Sequence, residues 1–166
     1  MKKGSDYLAK LAQRLSGYFD VETDKILRDR KVDIFAAFRQ TNEKYFFTRS
    51  IRVYGYNNYE YCIVQQLSET GQSADIAAFT GFLTELAEEL VRPSAEHMST
   101  YFTGILVSET GFSPEAVAAA QRFVYARNFA WGWRGWCDIR LILVDLGSGE
   151  VYANRKGKGV MRHYRP

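Results

Sequence analysis

The spacing of apolar residues changes repeatedly along this chain, and those changes constrain the fold more than any other feature. Tyr7, Leu8, Leu11 and Leu15 recur at helical spacing, which predicts a first helix capped by Ser5 and ended by Gly17. From Tyr18 the period drops to two. Segments 18–27 and 32–38 read as strands, turned by Asp29 among Arg28, Arg30 and Lys31. After a turn at 40–43, segment 45–54 reads as a third strand, and Asn57-Asn58 turns into a further one at 59–64. Ile76, Phe79, Leu83, Leu86, Ala87 and Leu90 then return to one helical face, closed by Pro93.

The remaining elements follow from local signals. Segment 101–108 reads as a short buried strand, and Ser113-Pro114-Glu115 opens a third helix. Serine caps it, proline fits its first turn, and the acid lies near the positive end of the dipole. The stretch 138–145 is a strand that turns at 146–150 into Val151, Tyr152 and Ala153, a hairpin. No internal repeat or linker interrupts this order. It predicts one α/β domain over residues 1–166.

Composition excludes several classes. A chain of 166 residues with 46% hydrophobic and 25% charged residues can bury a core and is not of disordered type. No apolar run approaches the roughly 18 residues of a membrane span, so no membrane partner is expected. The basic start lacks an apolar stretch behind it, which argues against a secretory signal and for a cytoplasmic protein. Cys62 and Cys137 sit in strand-like surroundings and read as two buried, reduced thiols.

Charge is distributed unevenly. After Glu150 the chain has Arg155, Lys156, Lys158, Arg162 and Arg165 and no acid, whereas the remainder carries 17 basic and 19 acidic residues. A basic tail over 153–166 either binds phosphates in a salt-dependent way or is simply solvated.

The order helix, three strands, helix, strand resembles the core of the PD-(D/E)XK restriction-endonuclease-like superfamily. Asp33 stands where that family has the aspartate of its second strand, and segment 104–120 looks like the strand-to-helix turn of the Mrr-type branch. The whole chain also resembles a small uncharacterised bacterial family of about this length, with no assigned activity. The first resemblance implies an αβββαβ core, here with an added helix and a C-terminal β-hairpin, and an acid and a lysine two apart on the third strand. That pattern fails at 45–50, where Phe47 takes the place of the acid and Arg49 that of the lysine. Phenylalanine cannot ligate Mg²⁺, and arginine stays protonated and cannot act as a base. Glu22 and Glu43 are nearby acids, but neither restores the pattern.

The pleat singles out Arg49 independently. It is the one charge on a face shared with Tyr45, Phe47, Ile51 and Val53, while Asp33 is expected on the face of Phe35. A structural ion pair with Asp33 and an anion site at Arg49 are both open readings.

Trp131, Trp133 and Trp136 are the chain's three tryptophans, interleaved with Gly132, Arg134 and Gly135. Rings beside an arginine suit stacking of single-stranded bases, a small-ligand pocket or a partner surface; core packing is the structural alternative. Trp131 and Trp133 share one side of an extended strand and are expected inside, with Trp136 on the other. Cys62, His97, Cys137 and His163 lack the short spacings of a zinc site.

These features lead to an expected non-catalytic binding domain without a cofactor. Its partner would be nucleic acid, held through Arg49, Trp131, Trp133, Arg134, Trp136, Arg155, Lys156 and Lys158. The alternatives are a self-association module, forming a homo-oligomer, and a metal-dependent nuclease using Asp33 with Glu22 and Mg²⁺.

Overall fold

A computed structural model describes residues 3–40, 57–91, 97–128 and 135–166. They form one mixed α/β domain. Helix α1 (Lys3–Ser16) precedes strands β1 (Asp20–Leu27), β2 (Arg30–Gln40) and β3 (Asn57–Leu67). Helix α2 (Ser73–Leu90) leads to β4 (His97–Ser108), and helix α3 (Pro114–Arg122) to β5 (Ala126–Asn128), β6 (Trp136–Asp145) and β7 (Val151–Ala153). The sheet runs β1-β2-β3-β4-β6-β5, and β7 also pairs with β6.

The connections explain this order. Strands β1, β2 and β3 are an antiparallel meander, whereas β3–β4 and β4–β6 are parallel. Parallel neighbours need long crossovers, and α2 and α3 supply them. Both helices lie on one face, burying Ile76, Phe79, Leu83, Ala116 and Ala120 against Ile63, Phe102, Leu106, Ile139 and Leu141. On the other face Tyr7, Leu11 and Leu15 of α1, with Tyr164, cover Val64, Ile105, Ile142 and Val144. The runs of apolar residues in β4 and β6 therefore reflect burial on two sides.

Local signals account for most boundaries. Ser113 Oγ accepts the Ala116 N–H at 3.1 Å, capping α3 with Pro114 in its first turn. Arg28 adopts φ 53° in the β1–β2 turn. The expected cap of α1 is displaced: Ser5 is inside the helix, and the Gly4 N–H instead donates to Glu109 Oε1 at 2.9 Å. Glu109 follows β4, so a side chain more than one hundred positions away does the work that sequence assigned to a neighbour.

Two further expectations change. The strand on the second edge of β2 is β3, which pairs Ile34 with Val64 and Gln40 with Asn58. The β3 residues beside Asp33 are Gln65 and Gln66; segment 41–56, with Phe47 and Arg49, lies outside the described residues. Alternation also breaks at Asp33. Val32 and Phe35 bury in the cluster under α2, while Ile34 and Ala36 bury in the cluster under α1.

The basic C-terminal segment is folded onto the sheet, with most of its charged residues exposed. Asn154 is fully buried; its Oδ1 accepts N–H groups of Leu141 (3.0 Å) and Gly157 (2.9 Å), and its Nδ2 donates to Ile139 O (3.0 Å) and Phe123 O (3.2 Å). The chain then turns into a short 3₁₀ helix (Met161–Tyr164), whose Tyr164 backbone carbonyl accepts the Tyr7 hydroxyl at 2.6 Å. Gly157 packs closely here: a Cβ would lie 3.0 Å from Leu141 O and 3.1 Å from Asn154 Oδ1, crowding this network.

Candidate functional site

Helix α1 and the C-terminal segment bury the apolar end of their sheet face. The other end of that face, towards the starts of the parallel strands, carries polar and aromatic residues that are only partly covered. Register defines the row: Phe38 on β2 lies opposite Glu60 on β3, Glu60 beside Tyr101 on β4, and Tyr101 beside Asp138 on β6. Paired residues share a face, so these four side chains line up across the sheet. Phe38, Glu60 and Tyr101 are half-buried, and Asp138 is buried.

The charges in this row are matched. Arg140, two residues beyond Asp138 and so on the same face, donates from Nη1 to Glu60 Oε1 at 3.2 Å. Its guanidinium also lies 3.9 Å from the centroid of the Tyr101 ring, a cation–π stack. Burial pushes the Glu60 carboxyl above its usual range, and the Arg140 charge opposes that shift. Lys156 of the C-terminal segment reaches back and donates to Asp138 Oδ2 at 3.0 Å. The salt bridge ties the basic segment to the row.

Trp136 starts β6 on this same pleat, opposite Asn128 of β5 and beside Ser99 of β4. It is partly exposed, and it is a diagonal neighbour of Tyr101. Phe19 extends the row past β2, with its ring 5.9 Å from that of Phe38. Trp131, Trp133 and Arg134 lie outside the described residues. Arg155, Lys158, Arg162 and Arg165 are exposed on the folded segment, and among the described residues none of them has an ion-pair partner.

Beneath the polar row sits a more deeply buried set. Cys62 is hydrogen-bonded to the Tyr164 hydroxyl, and burial pushes its thiol up to about 12. Thr103 lies between Cys62 and Arg140 in the register, fully buried, and its Oγ1 has no hydrogen-bond partner among the described residues. Sequence reasoning missed Glu60, Tyr101, Asp138, Arg140 and Asn154. The signal available was the interruption of apolar runs in β3, β4 and β6 at positions of one parity.

Asp33 and Glu22, the acids considered for catalysis, are each engaged by another group. Asp33 Oδ2 accepts the Gln66 backbone N–H at 2.6 Å, and Glu22 Oε1 is 2.6 Å from Lys25 Nζ on the exposed edge strand. Among the described residues no group of three or more His, Cys, Asp or Glu side chains is placed to hold a metal ion. Cys62 and Cys137 bury in clusters on opposite faces of the sheet, so they converge neither on zinc nor on each other.

Residues 3–166 match the family model described as "Domain of unknown function (DUF8052)". The chain belongs to this family. Its members are thus defined by sequence likeness and by no stated activity, in keeping with the resemblance to an uncharacterised family. No curated protein matches the chain. Among solved structures, this DUF8052 domain is similar to a repair endonuclease from Pyrococcus abyssi, at 14% identity and a TM-score of 0.36. The likeness covers 70% of the DUF8052 chain and 42% of the endonuclease chain, so the domain spans less than half of that protein. Among the described residues, no helix of the DUF8052 domain is long and apolar enough to cross a membrane.

Proposed function

We propose that this protein is a non-catalytic domain that binds nucleic acid through the C-terminal basic segment and the adjoining polar row. One observation carries the reading: Arg155, Lys158, Arg162 and Arg165 are exposed on a folded segment without acidic residues. Asn154 and Tyr164 hold that segment at its two ends. Preorganised cations lose less conformational entropy on meeting phosphates than cations on a free tail. Lys156 contributes less, because Asp138 already neutralises it.

Salt dependence tests this. Four phosphate contacts correspond to a slope of about −2.8 to −3.6 in log affinity against log salt. Affinity would then fall by roughly 50- to 150-fold between 50 and 200 mM salt. Replacing Lys158, Arg162 and Arg165 together by Gln should abolish most of that slope and lower the salt needed for elution from heparin. Unchanged elution in a folded variant rejects the reading.

A further inference from the structure

We infer that the nucleic acid is single-stranded and that its bases stack on Trp136 and on the Tyr101–Arg140 pair. The inference rests on the proposed nucleic-acid binding and names the form of ligand that the site takes. In a duplex the base faces are stacked on one another and only their edges are presented in the grooves. A sheet face carrying partly exposed rings offers the opposite chemistry, flat apolar surfaces to which unpaired bases present their faces.

The local arrangement meets three requirements of such a platform. Trp136 and Tyr101 are diagonal neighbours on adjacent strands, about 7–8 Å apart, which separate bases of a flexible strand can span. Arg140 lies 3.9 Å over the centroid of the Tyr101 ring and is tied to Glu60, and its guanidinium is a planar cation of the kind that stacks on bases. The exposed cations of the 155–165 segment lie beyond Lys156, whose bond to Asp138 joins that segment to the row of rings. Phosphates can therefore follow the segment while bases turn towards the sheet. The acids of the row do not repel the strand strongly, because Arg140 and Lys156 neutralise Glu60 and Asp138.

The test compares fluorescein-labelled 15-nucleotide strands, dT and rU, with a hairpin duplex of the same length, at fixed salt. The expected result is at least tenfold tighter binding of the single strands. Trp136→Leu and Tyr101→Leu should each weaken single-strand binding about tenfold. Trp136→Phe and Tyr101→Phe, which keep a ring, should restore most of the loss and guard against a folding defect in the leucine variants. Equal affinity for duplex and single strand, or leucine variants that bind as the parent does, overturns the inference and leaves the basic-segment reading standing. Failure to bind any oligonucleotide overturns both. A change in sedimentation mass with Trp136→Leu, without a change in oligonucleotide binding, assigns the face to self-association and also overturns it.

Discussion

Asn154 Oδ1 accepts the backbone N–H of Leu141 at 3.0 Å, so a side chain stands in for a strand at this point of the sheet. The outer edge of β6 is shared by β5, which pairs with 136–138, and β7, which pairs with 142–144. Between them the Asn154 amide and the Tyr125 carbonyl, which accepts the Ile139 N–H at 3.2 Å, satisfy the backbone. The same residue starts the basic segment, which couples stability of the sheet edge to placement of the candidate site.

Asn154→Ala leaves buried backbone groups of Leu141, Gly157 and Ile139 without their partner. Each unsatisfied group costs about 1–3 kcal/mol, reduced here by relaxation, so a total loss of about 3 kcal/mol is expected. For a chain of this size that lowers the melting temperature by roughly 6–12 °C. Differential scanning calorimetry checks the value, and a fall under 2 °C would remove Asn154 from this role.

Glu109→Ala should destabilise the domain by about 1–2 kcal/mol, since the half-buried Glu109 carboxylate accepts the Gly4 N–H of α1 and the Gln66 side-chain amide. Hydrogen exchange should show the loss concentrated in α1. Ser5→Ala, by comparison, should change urea midpoints little.

Asp33→Ala removes the acceptor of the Gln66 N–H, at the point where β2 breaks its alternation. The expected outcome is a stability loss of about 1–2 kcal/mol in the absence of any divalent ion. Added Mg²⁺ should not raise the melting temperature of the parent by more than it raises that of the variant. A Mg²⁺-dependent stabilisation that only the parent shows would restore Asp33 to metal binding.

Stability should fall at alkaline pH. Burial pushes the Cys62 and Cys137 thiols from 9.0 up to about 12, and it raises the Tyr7 and Tyr164 hydroxyls as well. The stability linked to these raised groups is fully present below their unfolded values. It is lost as pH climbs through about 9 to 12, because the unfolded chain releases protons that the native state retains. Urea midpoints measured from pH 8 to 11 should decline, and Cys62→Ala with Cys137→Ala should flatten part of that decline. The native protein should also resist a thiol reagent at pH 8 and yield two equivalents only after unfolding.

Much of the architecture was legible in the chain. The helical spacing of Ile76, Phe79, Leu83 and Leu86 marked α2, the Ser113-Pro114 pair marked the start of α3, and the alternation after Tyr18 marked the meander. Local propensity and apolar period act over a few residues, so sequence alone determined which segments became helices and strands. It also determined that Trp136 and Arg140 share a face of β6, because the pleat has period two. Tertiary structure decided which faces met. Only strand order placed Glu60 beside Tyr101 and Arg140, brought Lys156 to Asp138, and put Gln66 next to Asp33. Those relationships join residues up to eighty positions apart, and they arise from register and from crossovers that no local spacing encodes.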